Sequence, residues 1–494
     1  MSGVPPIRIR RANGADVRPD GRYVVYWMIA QRRTSWNFAL DHALDWCERL
    51  GKPLLVLEAL RCGHPYASER VHAFVLAGMK ENRDRLREHG VRAYTYVERA
   101  GDEGRGLLEA LAADACVVVT DEWPHFFLPR MVDTAAQRLR VPLDVVDGCG
   151  LLPLRATEKA DPTAYVFRRR LQKLLPDQLP LAPRARPFQG RRLAKPASIS
   201  RNILERWPEA TPRLLDADGL ASLPLDHEVK PTEDQGGAAA GTRRLAHFVK
   251  HALAAYADDR NKPEVDATSH LSPWLHFGHV STHQVFRVLS KAEGWSPDDL
   301  GAKADGRRAG WWGMGESAEA FLDQVVTWRE LGFQFGWHRG DAHRYESLPP
   351  WALQSLAAHA SDSREHVYDR DTFEAAATHD PLWNAAQRQL RREGKIHGYL
   401  RMLWGKKVLE WSERPEIAWE HLLHLNDRWA LDGRDPNSTS GIGWCFGRYD
   451  RPWAPERPVF GRIRFMSSKN TARKVRVRAY MERYGAEPET LLPF

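Results

Sequence analysis

No stretch of the chain approaches the roughly 18–20 consecutive apolar residues that a membrane span requires, so a soluble protein is expected. Cysteine is scarce. Cys47, Cys62, Cys116, Cys149 and Cys445 are scattered, odd in number and without a CxxC pair. That spacing argues against a structural zinc site or a disulfide framework. With no signal-peptide pattern it points to a reducing, cytoplasmic compartment, and no metal is expected. Neither GxGxxG nor GxxxxGK[ST] occurs, so no dinucleotide or ATP phosphate loop is supported. HExxH and GxSxG are missing as well, which removes zinc-dependent and nucleophile-elbow hydrolysis. What the chain has in excess is tryptophan, 19 residues, and positive charge, a net +8. The charge favours a polyanionic partner. Tryptophan serves as core bulk, stacking surface or redox relay, and composition does not choose among them. At 494 residues the chain is too long for one small core, and two or three domains are expected.

Residues 1–20 carry Arg8, Arg10, Arg11 and Arg18 among Gly and Pro and read as an irregular basic arm. Over residues 21–175, strand-like runs alternate with helical periodicity. The strands are Tyr23–Met28, Pro53–Glu58, Ala93–Val97, Ala115–Thr120 and Leu143–Asp147. One helix follows Met28, with Trp36, Ala39, Leu40, Ala43, Leu44 and Leu50 on one face; others cover 69–89, 106–113 and 129–140. This alternation predicts an α/β domain with a Rossmann-like parallel sheet and helices on both faces. Ligands of such sheets sit past the carboxyl ends of the strands, so the loops after Trp27 and Thr120 are candidates. Residues 176–241, rich in Pro, Arg, Ala and Gly, read as an interdomain linker. From 242 to 494 strand signals nearly vanish. Helices are expected over 242–257, 280–293, 316–335, 349–359, 372–376, 383–393, 397–411 and 415–424, giving an all-α C-terminal domain. Its basic tail, with Arg464, Lys474 and Arg478 among others, suits either a phosphate backbone or a solvated helix face.

Three constellations carry candidate chemistry. In the first, Tyr256 and Arg260 precede Thr268-Ser269-His270-Leu271-Ser272, ahead of a helix expected to start near Ser281. Hydroxyls, backbone N–H groups and a guanidinium together suit a pyrophosphate, although Ser272 and Ser281 could equally be plain helix caps. In the second, Gln324 and Trp328 share a helix face at i, i+4, where an amide and a ring can read and stack a base-like ligand; a half-buried structural helix would look the same. The third spans 378–447, where large rings alternate with single charges and amides. His397, Arg401, Trp404 and Trp411 fall on one helical stripe. An arginine buried there demands a carboxylate, and Asp432 or Asp427 could supply it.

These pieces resemble the photolyases, most closely the class II cyclobutane pyrimidine dimer photolyases of the photolyase/cryptochrome family. The likeness runs from Val24 to Ser467. Its most specific segments are Leu271-Ser272-Pro273-Trp274-Leu275-His276-Phe277-Gly278, His379-Asp380-Pro381-Leu382-Trp383-Asn384, Gly394-Lys395-Ile396-His397-Gly398-Tyr399, Leu425-Asn426-Asp427-Arg428 and Asp432-Gly433-Arg434-Asp435-Pro436-Asn437. The resemblance implies an N-terminal antenna domain, a long linker and a helical domain that binds FAD. It also implies light-driven electron transfer from the reduced flavin to a flipped-out dimer in double-stranded DNA, with return of the electron. Tyr256, Arg260, Thr268, Ser269, Leu271 and Ser272 would hold phosphates and ribityl. Arg401 and Asp432 would form a salt bridge beside the flavin ring, and the Asn426 amide would face it. Trp404 would be the proximal and Trp383 the distal, near-surface member of an electron relay, with Trp411 read first as core. Trp328, Met402 and Trp444 would wall the lesion pocket. Arg451 and Trp453 would enter the vacated duplex, and Arg464 would meet the lesion strand. An antenna chromophore, a deazaflavin or a folate, would sit in the N-terminal domain unless that site is empty. The protein is expected to work as a monomer.

Gln324 departs from the family, which has a glutamate at this position. A glutamine keeps an acceptor, gains donors and loses the negative charge. That departure keeps two other readings open: a (6-4)-type or altered-specificity photolyase, and a cryptochrome-like blue-light sensor without repair. Two shorter departures are the sequence after Asn437 and a Gly447-Arg448-Tyr449-Asp450 segment about one residue short.

Overall fold

The computed structural model describes residues 3–485; the outermost ends of the expected arm and helical domain, 1–2 and 486–494, lie outside the described residues. Six strands form one sheet: β1 (Ile9–Arg11), β2 (Tyr23–Met28), β3 (Leu54–Leu60), β4 (Arg92–Val97), β5 (Ala115–Asp121) and β6 (Leu143–Val146), in the order β1-β6-β5-β2-β3-β4. Strands β2 to β6 pair in parallel, as the alternation predicts. Their side chains alternate between two buried layers, because successive residues point to opposite faces. Val25, Trp27, Leu55, Leu57, Val118 and Val145 pack on one side, and Val24, Tyr26, Met28, Val56, Val117 and Val119 on the other. Helices Phe38–Leu50, Glu69–Glu88, Leu107–Ala112 and Leu128–Arg138 connect the strands. The first is capped by Asn37, whose Oδ1 accepts from the Ala39 and Leu40 N–H groups.

The irregular basic arm is corrected. β1 pairs antiparallel with β6, setting Ile9 opposite Val146. The arginines are what make this possible. Arg8 is fully buried and donates to Leu151 O at 2.7 Å. Arg10 pairs with Glu122 and Arg11 with Asp144. The expected linker is also more structured than its composition suggests. It contains helices Arg201–Arg206 and Ala217–Leu220, and Ile203, Leu214 and Leu223 are buried against the N-terminal domain.

Beyond it the chain is helical. Helix Ala238–His251 starts earlier than expected, and Pro415–Trp429 runs further. The stretch expected as one helix over 316–335 is three segments: Glu316–Leu322, a π-helical turn Asp323–Trp328, and Arg329–His338. The helical domain sits against the carboxyl ends of β2 and β5. Asp121, ending β5, accepts from the N–H groups of Ile29, Ala30 and Gln31 at 2.9, 2.8 and 3.0 Å. The loop so fixed meets Gly278, where Arg33 donates to the carbonyl at 2.7 Å. Gly278 has φ +70°, and a Cβ there would fall 2.0 Å from Ala30 O, so only glycine allows the approach. On the β5 side, His125 Nε2 meets Thr439 Oγ1 at 2.9 Å. The loops after Trp27 and Thr120 are thus held in protein contacts.

Candidate functional site

A cavity of about 1020 Å³ opens within the helical domain. That is at the upper end for a small-molecule site and large enough for a dinucleotide-sized ligand with room beside it. Tyr256, Arg260, Thr268, Ser269, Leu271 and Ser272 line one side of it. Arg244 donates to Ser269 O at 2.9 Å and fixes this backbone, and Ser269 Oγ accepts from the Leu271 N–H at 3.4 Å. The helix expected near Ser281 is preceded by a short one, Ser272–His276; Ser281 caps the next, Thr282–Ala292, by accepting from the His283 N–H.

Helix Gly398–Trp411 brings Arg401 and Met402 to the wall. Arg401 pairs with Asp432 at 3.3 Å, leaving its side chain 28% exposed. Asp432 is therefore the carboxylate the stripe demanded. Asp427 serves elsewhere: it is buried, accepts from the Arg434 N–H at 2.8 Å, and burial pushes its carboxyl up. Asn426 does not line the cavity. Its Nδ2 donates to Asp427 at 2.8 Å, and its Oδ1 accepts from Ser438 Oγ at 3.0 Å. Ser438 is on the wall, so the amide is reached through it.

The π-helical turn also brings Gln324 and Trp328 to the wall. Such turns recur at functional sites because the extra residue widens the helix. Asp323 beside them is anchored by Arg168 at 2.9 Å. Trp328 stacks on Trp444, ring centroids 4.9 Å apart and planes 28° from parallel. The guanidinium groups of Arg451 and Arg464 lie 5.4 and 5.1 Å from the Trp453 ring centre. Trp453 and Arg464 line the cavity, whereas Arg451 is exposed beyond it. Lys395, Arg457 and Lys474 add positive charge to the lining.

Trp404 and Trp383 stand behind the wall. Trp404 Nε1 donates to Gln387 Oε1 at 2.9 Å, and Trp383 Nε1 donates to the Trp404 carbonyl at 3.0 Å. The near-surface placement of Trp383 is corrected: it is 0% exposed. It lies on the first turn of helix Pro381–Glu393, yet its ring turns inward against Phe373 at 5.3 Å and Trp411 at 6.1 Å. From Trp411, also buried, Tyr368 lies 5.9 Å and His379 4.8 Å away, and Tyr368 Oη bonds His379 Nδ1 at 2.7 Å. Tyr368 is half-buried and His379 exposed.

Sequence reasoning missed helix Pro436–Cys445, which supplies Ser438, Ser440 and Trp444 to the wall. Its signal was present: Asp435 accepts from the Asn437 N–H and Pro436 takes the first helical position. Asp435 is also bonded to His276 at 3.0 Å; burial alone would raise this carboxyl, but the histidine holds it below its ordinary range.

The architecture and cavity define a two-domain protein of the photolyase/cryptochrome type, with an α/β sheet domain docked on a helical ligand-binding domain. It superposes on a bacterial class III photolyase from Agrobacterium tumefaciens with a TM-score of 0.67 at 18% identity, covering 94% of this chain and 86% of that one. A Synechocystis cryptochrome gives 0.65 at 15%, covering 94% and 88%. The family model for DNA photolyase matches residues 24–188. A deoxyribodipyrimidine photo-lyase of Methanothermobacter thermautotrophicus is 35% identical over 96% of this chain and 97% of its own length. Another, from Arabidopsis thaliana, is 31% identical over 93% and 88%. The chain belongs to the DNA photolyase family, flavoprotein lyases that use FAD and blue light in DNA repair.

The residues present fit FAD. Hydroxyls, Arg260 and the Arg401–Asp432 pair all line the cavity. Both ring nitrogens of the cavity-lining His397, and Trp453 Nε1, are buried without a partner, which leaves polar capacity around the space. Burial lowers His397 to about 4, so it stays neutral at physiological pH. Among the described residues no helix is long and apolar enough to cross a membrane.

Proposed function

We propose that this protein is a class II photolyase that splits cyclobutane pyrimidine dimers in double-stranded DNA, acting as a monomer. The observation that carries the reading is the stacked Trp328–Trp444 pair and Gln324 opening onto the same cavity as the Arg401–Asp432 bridge. A lesion ring stacked there would share one space with the flavin. Reduced FAD, when bound, supplies light-driven one-electron chemistry; the electron returns, so there is no net redox change.

The residues divide the remaining work. Tyr256, Arg260, Thr268, Ser269, Leu271 and Ser272 bind phosphates and ribityl, using hydroxyls, backbone N–H groups and a fixed cation. Arg401 places positive charge beside the flavin, and Asp432 fixes its direction. Asn426 presents its amide once Ser438 gives way. The dimer must leave the duplex, which a poorly stacked damaged pair makes cheaper. Trp328, Trp444 and Met402 then exclude water, and Gln324 meets the pyrimidine edge. Arg451 and Trp453 fill the vacated stack, and Arg464 meets the strand. Trp404 and Trp383 relay electrons inward when the oxidised cofactor is photoreduced. Since Trp383 is buried, the relay reaches solvent through Trp411 and the Tyr368–His379 pair.

Gln324 favours a second reading, a (6-4)-type or altered specificity; the third is a cryptochrome-like sensor. Reduced protein is incubated with each lesion under blue light. Cleavage of thymine dimers supports the first reading, cleavage of (6-4) products alone supports the second, and photoreduction without turnover leaves the sensor. An absorption spectrum of the native protein reads FAD directly and shows whether a deazaflavin, a folate or no antenna accompanies it.

A further inference from the structure

A second cleft, of about 490 Å³, lies where the two domains meet. Arg70 comes from helix Glu69–Glu88 of the sheet domain, Glu228, Lys230 and Pro231 from the interdomain segment, and Arg388, Arg391, Arg392 and Trp429 from the helical domain. Cations dominate it, and its acidic charge is already used. Glu228 pairs with Arg428 at 2.5 Å, and Lys230 pairs with Glu69 at 3.1 Å.

Among the described residues, three guanidinium groups lack a counter-charge. Among the described residues no carboxylate lies within ion-pair distance of Arg70, Arg388 or Arg391. Arg70 is 3% exposed and gives its donors to the carbonyls of Lys230, Leu390, Trp429 and Arg391. Those carbonyls include the ends of two helices, Pro381–Glu393 and Pro415–Trp429. A helix end carries only about half a negative charge, so these two offset roughly one cation; Arg388 is answered only by the carbonyls of Ala376 and Tyr484, at 3.2 and 3.5 Å, and by no carboxylate among the described residues. Arg388 and Arg391 are i, i+3 neighbours of like sign, an arrangement that is unfavourable when nothing answers it. Burial, and then Arg392 and Arg391, lower the Arg388 pKa, consistent with crowding. Two guanidinium groups, of Arg391 and Arg428, already lie over the Trp429 ring, each 5.0 Å from its centre, and compete with any base for it.

We propose that this interdomain cleft is a binding site for a multiply charged phosphate anion, recognised through its phosphates and not through a base. Pyrophosphate and the tail of a nucleoside diphosphate share that chemistry. The site is separate from the flavin cavity and does not depend on the lesion the protein repairs.

The test uses the FAD-loaded protein, titrated calorimetrically with inorganic pyrophosphate, ADP and AMP at low salt. Saturable binding of pyrophosphate and ADP within about threefold of each other, with AMP about tenfold weaker, is expected. ADP binding with no pyrophosphate binding would place recognition on the base and overturn the proposal. Arg391→Glu should weaken pyrophosphate about tenfold and Arg391→Lys should retain it. Arg391 is exposed, so both variants should melt like the parent and repair at the parent rate. Equal pyrophosphate affinity in Arg391→Glu refutes the site, as does the absence of saturation at millimolar pyrophosphate. If undamaged duplex displaces pyrophosphate and Arg391→Glu weakens duplex binding, the cleft is part of a DNA track and the proposal falls.

Discussion

Replacing Trp383 by phenylalanine separates wiring from packing. Trp383 is wholly buried and its indole N–H is bonded to the Trp404 carbonyl at 3.0 Å. The smaller ring leaves a void of about 40 Å³, costing about 1 kcal/mol at roughly 24 cal/mol per Å³. Loss of the N–H bond adds about 1 kcal/mol. The variant should therefore unfold with about 2 kcal/mol less stability, read from the denaturant midpoint of the helical domain with FAD bound. The relay effect appears in a separate readout, the photoreduction rate. Phenylalanine is much harder to oxidise than tryptophan, and a barrier raised by only ~1.4 kcal/mol already slows a step tenfold. Blue-light reduction of oxidised FAD should slow at least about tenfold. Repair by chemically pre-reduced protein should stay near the parent rate, because that reaction does not draw on the relay. A variant that loses stability as calculated but photoreduces at the parent rate would refute the relay and leave Trp383 as core.

Trp404→Phe should nearly abolish photoreduction while leaving pre-reduced repair intact; it also strands Gln387 Oε1, with a further ~1 kcal/mol loss. Asn426→Ala should make the reduced flavin less stable, seen as faster reoxidation in air, and an unchanged rate argues against the amide's role. Arg451→Ala should weaken damaged-duplex binding by ~1 kcal/mol, about fivefold at fixed salt, and equal affinity would mark Arg451 as surface charge. For pH dependence, burial by itself would raise Glu374, but hydrogen bonds from His424, Trp429 and Arg428 outweigh it and hold the carboxyl down to about 2. A carboxyl depressed on folding stabilises fully above its unfolded pKa, about 4.3, and loses that contribution as pH falls toward 2. Glu374→Gln should thus lower stability at pH 7 and flatten the acid limb between pH 5 and 2. A variant with the parent's acid limb would show that Glu374 does not control it.

The sheet was legible because β2 to β6 are apolar on both faces, which leaves a covered parallel sheet as the economical solution. β1 was not, because three residues, two of them arginine, carry no strand pattern. Only Asp144 and Glu122, far along the chain, make those arginines edge residues. Helix existence was readable from periodicity, but the break at 323–328 was not: a π turn keeps a helical pattern in sequence while shifting which residues face the cavity. The cavity wall was largely legible, since Tyr256, Arg260 and Arg401 sit in local motifs. Trp383 misled for a tertiary reason. Its near-surface placement was implied by the resemblance alone, and packing from Phe373 and Trp411 buries it. Asn426 shows the same limit, because a sequence cannot say that Ser438 stands between an amide and the space it serves.

The edge strand has a consequence for biosynthesis. β1 precedes the other five strands in sequence, yet its partner β6 and the Leu151 carbonyl that Arg8 reaches lie more than 130 residues later, with Arg8 and Leu151 separated by 143 positions. In vectorial synthesis β1 has no partner until β6 emerges, while β2, β3, β4 and β5 can already pair with one another. Once β6 emerges, β1 closes that edge and removes a row of open N–H and C=O groups that another chain could otherwise extend. Of these six strands the first in sequence is thus the last to find its partner, and that edge of the sheet stays open until it does.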